Sequence, residues 1–156
     1  MTDTAQAKVL DAFKALIEGY TALSAIPVFS DRSPDDAIES GEVPCIVLSC
    51  EYWRFEDSPQ QGQVIHTMLV NFDVIETQAT VGTVNRKAQD RIAHIIAAVG
   101  TDPTLDDLIE EFDPIDVAPP MDNGKAIGGS SLQARVTFYT PRWDHFTIVT
   151  DPARPR

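Results

Sequence analysis

CIVLSCEYWRFEDSPQQGQVIHTMLVNFDVIE, residues Cys45 to Glu76, decides how this chain folds. In an extended backbone successive side chains point to opposite faces. Ile46, Leu48, Cys50 and Tyr52 then point one way, and Cys45, Val47, Ser49, Glu51 and Trp53 the other. This is a strand with both faces at least partly covered. The polar run Glu56 to Gln63 breaks the pattern, which resumes with Val64, Met68, Val70, Phe72 and Val74 on one side. Two such strands around a connection holding Pro59 and Gly62 make a long antiparallel hairpin. Its tip is expected to protrude into solvent or a partner.

Upstream, Val9, Phe13, Leu16, Ile17 and Tyr20 recur at helical spacing, with Asp3 or Thr4 able to cap the start, so Thr4 to Tyr20 reads as a helix packed by one face. Ala25 to Phe29 reads as a short strand. A turn or two of helix follows in SDRSPDDAIESG, with Ser33 as N-cap, Pro34 at the first helical position, Asp35 and Asp36 next, and Gly41 as the stop. Downstream, Val81, Val84, Ala88, Ile92, Ile95, Ile96 and Val99 form one stripe of a second helix ended by Gly100, with Arg86, Lys87, Asp90 and Arg91 away from it. Thr104 and Asp107 have capping-box-like spacing, predicting a brief helical turn that buries Leu105, Leu108 and Ile109. Phe112 to Val117 reads as a strand. After the loop APPMDNGKAIGGSS, the residues Leu132, Ala134, Val136 and Phe138 alternate with Gln133, Arg135, Thr137 and Tyr139, a strand with one face on the core. The expected fold is α+β: an antiparallel sheet of four or five strands, two amphipathic helices on one face, and a long hairpin. One domain spans residues 1–140, and residues 141–156 form a C-terminal arm whose order depends on what it touches.

A chain of 156 residues with 43% hydrophobic composition suits one domain with its own core. Its 24 acidic against 12 basic residues, a net charge of −12, repel phosphate backbones and anionic lipid surfaces. MTDTAQAKVLDAF has no basic segment followed by an apolar run, and no stretch approaches the roughly 20 apolar residues of a membrane span. The expectation is a soluble protein made in a cytoplasm.

Chemical motifs fail on spacing. Cys45 and Cys50, five apart in a strand, face opposite ways and read as buried, reduced thiols rather than a disulfide or metal site. His66, His94 and His145 lie on separate elements without an H-E-x-x-H pair or a G-x-S-x-G serine, and each reads as a surface or boundary residue. Asp144 next to His145 would send its side chain the opposite way in an extended chain. Gly124, Lys125, Gly128 and Gly129 imitate a phosphate loop, but Ala126 follows the lysine and a strand follows the loop. Asp35, Asp36, Asp106, Asp107, Glu110 and Glu111 suit helix starts and solvated surface. No catalytic residue, metal or cofactor is expected.

In order, the first helix, IPVFSDRSPDDAIESGEVPCIVLSCEYWRF, the hairpin, the second helix, DPTLDDLIEEF and SLQARVTFYT resemble the tail terminator proteins of long-tailed bacteriophages, the minor tail protein U-like group. The resemblance covers Ala5 to Thr140 and lies in the order of elements. It implies a non-enzymatic virion subunit that closes into a homohexameric ring on the last ring of tail-tube protein, stops tube growth and meets the neck. It implies tube and neck proteins as partners, no membrane, and DNA only as cargo through the lumen. The expected location is the head-proximal end of the tail, reached from the host cytoplasm. Trp53, Arg54, Phe55, Glu56, Asp57, Gln60 and Gln61 at the hairpin end, with Lys125 and Ile127 in the glycine-rich loop, are the candidate assembly contacts, since Trp and Arg dominate interface hot spots. A head-closure or neck protein is the alternative, followed by a small-ligand-binding domain or enzyme using Asp144, His145 and the glycine loop.

Overall fold

The computed structural model describes residues 2–30, 44–59, 62–77, 81–118 and 127–149. Helix α1 (Ala5–Gly19) starts where expected: the Thr4 hydroxyl accepts from the Ala7 amide at 3.3 Å, and Ala5, Val9, Phe13 and Ile17 are buried. A 3-10 turn (Thr21–Leu23) leads to β1 (Val28–Phe29). Then come β2 (Cys45–Asp57), β3 (Gln63–Thr77), α2 (Val81–Thr101), β4 (Glu111–Ala118) and β5 (Ile127–Pro141). The sheet order is β1-β2-β3-β5-β4. β1 runs parallel to β2 and the other neighbours are antiparallel, so this α+β fold has a mixed five-stranded sheet rather than a purely antiparallel one. The short helix expected around Ser33, Pro34, Asp35, Asp36 and Gly41 falls outside the described residues.

Both helices contribute to one core. Phe13 of α1 meets Phe72 of β3 edge to face at 5.5 Å and Phe112 of β4 at 5.6 Å, while Ala88, Ile92, Ile95 and Val99 of α2 are buried with them. The opposite sheet face carries no helix among the described residues. α2 runs one residue past Gly100. Arg91, expected away from the packed stripe, instead turns inward and bonds through Nε to the buried Glu76 carboxylate.

Two segments depart from the periodicity. Leu105, Asp106 and Asp107 have φ of 49°, 56° and 66°, so the expected helical turn is left-handed. The Thr104 hydroxyl still accepts from the Asp107 amide at 3.3 Å, and the Asp102 carboxylate accepts from Asp106 at 3.0 Å. Short polar side chains tolerate this conformation, and burying Leu105 and Ile109 compensates. The second departure is the glycine-rich loop, whose last five residues are strand: Ile127 pairs with Thr77, and Ser131 with Asp73 and Ala118. Gly129 permits this approach. A Cβ there would stand 1.9 Å from the Val74 carbonyl oxygen, so β5 must shift to accept even alanine. Gly129→Ala is expected to lower unfolding free energy in urea by about 2 kcal/mol, a typical overpacking penalty; an unchanged midpoint would show that the strands separate freely.

The hairpin is not a free ribbon. β5 runs beside β3 from Gln63 to Thr77, and the chain then folds back across the end of the sheet. The Arg142 amide donates to the Gly62 carbonyl at 2.8 Å, the Ala5 amide to the His145 carbonyl at 2.9 Å, and Val149 bridges to Tyr139. Residues 142–149 are therefore tied at once to the hairpin turn, the start of α1 and β5. No helix among the described residues is long and apolar enough to cross a membrane.

Candidate functional site

The site grows from an irregularity in β2. Pairing with β3 shifts between Cys50 and Tyr52, leaving Glu51 as an extra residue. Such a bulge reverses the facing of everything after it. Trp53 and Phe55 therefore pair with Met68 and His66 on the helix-bearing face, the face of Ile46 and Leu48, and Tyr52 takes the other side. This corrects the simple alternation, which placed Tyr52 with Ile46 and Trp53 opposite. Side chains hold the bulge: Asn71 Nδ2 and Gln133 Nε2 donate to Glu51 Oε2 at 2.9 and 2.6 Å across the outer face. On that face burial raises the Asp73 carboxyl above its usual range and the Glu51 charge adds to this, against a lowering hydrogen bond from Ser131.

Past the bulge, β2 is exposed to its end, while beneath it His66 is fully buried. This corrects the expectation of a boundary histidine: its strand position is that of Val64 and Met68, so the pleat turns it inward. The Trp53 indole Nε1–H donates to His66 Nδ1 at 3.0 Å, with the rings nearly coplanar at 6°. An indole can only donate, so Nδ1 is the bare nitrogen. Nε2 carries the proton and donates to the Thr140 hydroxyl at 2.7 Å. Phe138 lies parallel to the imidazole at 4.6 Å, and His145 meets its edge at 4.8 Å. Desolvation, helped by the charge of His145, lowers the His66 pKa from 6.5 to about 4. The ring is neutral at pH 7 and serves as a polar strut under Trp53.

Residues 142–149 complete the site. Phe55, Asp57, Val64, Arg142, Trp143 and Phe146 border an open groove of about 670 Å³. Trp143 is 92% exposed, with Phe55 and Phe146 about half exposed. Arg142 stands 3.6 Å from the Asp57 carboxylate and 5.5 Å over the Trp143 ring. Asp144 and His145 do not pair: Asp144 accepts from Thr147 at 2.7 Å and Phe146 at 3.0 Å, which hold its carboxyl below the usual range, and His145 donates to the Arg142 carbonyl at 3.2 Å. Lys8 Nζ reaches the Phe146 carbonyl at 2.6 Å.

Of the candidate contacts, Trp53, Arg54, Phe55, Glu56 and Asp57 follow one another along β2. Gln60, Gln61 and Lys125 lie outside the described residues. Ile127 opens β5 at the end of the sheet away from the hairpin turn, so it shares no surface with the others. Trp143, Phe146 and His66 were not among the candidate contacts, and His145 was named only for the ligand-binding alternative; the segment RWDHF carried the signal for Trp143 and Phe146. Cys45 is buried, but Cys50 is exposed, contrary to expectation. Its thiol donates to the Tyr52 carbonyl at 3.4 Å and desolvation raises its pKa. Among the described residues no group of three His, Cys, Asp or Glu side chains could hold a metal ion. The arrangement offers a built aromatic surface with charged margins, suited to holding another macromolecule.

No protein-family model matches the sequence, and no curated protein matches it.

Proposed function

We propose that this chain is a structural virion subunit, a phage tail terminator that closes into a homohexameric ring on the end of the tail tube, halts tube growth and offers its other side to the neck. The observation that carries this is the aromatic end of the sheet: Trp53, Phe55, Trp143 and Phe146, each 40% or more exposed, gathered on one rigid surface. Large exposed aromatics beside an arginine are the composition of an interface hot spot. At the same end Gln63 Oε1 is buried with no hydrogen-bond partner among the described residues. The ring itself comes from the resemblance in the order of elements.

The test is tube assembly. Purified tube protein polymerised with this chain should give tubes of limited length bearing a ring at one end in negative stain. With −12 on every subunit, ring closure should be favoured by raised salt, which screens the mutual repulsion. Trp143→Ala is the informative variant, because a 92% exposed ring has little to do with folding. Thermal unfolding should stay within a degree or two of the parent, while the concentration needed to stop tube growth rises about tenfold, the effect of losing roughly 1.4 kcal/mol at a contact. Unlimited tube growth in the presence of the parent chain would refute the proposal.

A further inference from the structure

The two edges of the sheet are finished differently. β4 carries Pro114, a register shift between Pro114 and Asp116, and the acids Glu111, Asp113 and Asp116. Proline, bulges and charge are the devices by which an edge strand refuses another strand. β1 protects β2 only at Ile46 and Val47. From Tyr52 to Asp57, YWRFED, no strand lies on the outward edge of β2 among the described residues. The segment holds neither Pro nor Gly, and every residue in it is exposed. Such an edge adds a strand through its backbone N–H and C=O groups.

We infer that this edge takes a second copy of the same chain, paired antiparallel about a two-fold axis through Phe55. Around such an axis the residue numbers of each directly opposed pair share a constant sum, and paired side chains share a face. The bulge at Glu51 and the turn that begins at Ser58 bound the segment, so the registers centred on Arg54 and on Phe55 keep most of it paired. Charge decides between them. Centred on Arg54, two guanidinium groups stand opposite each other. Centred on Phe55, Arg54 of each copy meets Glu56 of the other on the outer face, giving two opposite-charge pairs, and Phe55 packs on Phe55 on the helix-bearing face. Trp53 then lies across from Asp57, whose charge Arg142 already faces at 3.6 Å.

The pairing stands on edge geometry alone. Its consequence rests on the ring proposed above: Trp53 and Phe55 are engaged in the pair, so a paired subunit must separate before it caps a tube, and free subunits are held in a form that does not polymerise.

Cysteine placement tests the register in the full chain, with Cys50→Ser to remove the exposed thiol. Opposed Cα atoms in an antiparallel pair lie about 4.5–5.5 Å apart, within reach of a disulfide. Under copper phenanthroline and air, Phe55→Cys should form a covalent dimer. Arg54→Cys and Glu56→Cys should each cross-link several-fold less alone, but readily when mixed. A cyclic ring joins two different patches and does not bring residue 55 onto its own copy, so failure of the ring and failure of this pair are read separately. Without oxidant, Arg54→Glu should raise the dimer dissociation constant by about tenfold, and adding Glu56→Arg should restore it. Monomer at all concentrations in sedimentation, or self-cross-linking at Arg54→Cys equal to that at Phe55→Cys, overturns the inference. If Phe55→Cys fails to fold by circular dichroism, the charge swap decides.

Discussion

Replacing Arg91 by methionine is expected to remove about 3 kcal/mol of folding stability, the usual scale for stripping one partner from a buried ion pair. Glu76 is 1% exposed and lies near the end of β3, where the chain passes toward α2; Arg91 reaches it from α2 through Nε. With the guanidinium gone, the carboxylate stays out of water with no compensating charge, and the fold must either open there or protonate it. Glu76→Gln combined with Arg91→Met should recover most of the loss, since the double variant buries a neutral amide of the same shape. Arg91→Lys should fall between, keeping the charge but not the planar donor. Urea unfolding followed by circular dichroism measures all four chains. A loss under 1 kcal/mol for Arg91→Met would mean that water reaches Glu76.

Arg91 also shows where the sequence stops being legible. A stripe of apolar residues at helical spacing located α2 and its buried face, because periodicity reports which side of an element meets the core. It does not report that a long side chain beside the stripe can bend back to a carboxylate on a neighbouring strand. The same limit operated in β2. Alternation identified the strand and the hairpin, but a bulge leaves no local mark in composition. One extra residue at Glu51 reversed the facing of Trp53 and Phe55, and the reason for it, the anchoring of Glu51 by Asn71 and Gln133, involves residues 20 and 82 positions away. Gly128 and Gly129 read as loop because glycine is depleted in strands; here close strand approach required Gly129. The inward facing of His66, in contrast, was available from its phase with Val64 and Met68.

His66 gives the second large effect: lowering the pH from 7 to 4.5 should destabilise the fold by about 2 kcal/mol through this one ring. Its pKa falls from 6.5 to about 4 on folding. Below pH 6.5 the unfolded chain therefore takes up a proton that the folded chain resists, and stability falls with pH until the folded ring also titrates. The full contribution is present above pH 6.5 and is lost as the pH falls toward 4. A lowering of this size corresponds to roughly 3 kcal/mol at most, and water in the adjoining groove screens part of it. Asp73, whose carboxyl is raised on the opposite face, works in the other direction as it titrates above 3.8, so the contribution of His66 must be isolated by difference. His66→Phe keeps a ring against Phe138 and removes the titration; the gap in pH dependence between parent and variant is the quantity to measure. Trp53→Phe provides the mechanism. Without the indole N–H at Nδ1, that nitrogen is free to accept a proton, and the His66 midpoint followed by NMR should move back toward 6.5. An unmoved midpoint would show that burial and the charge of His145 keep the ring neutral and that the indole merely rests on it.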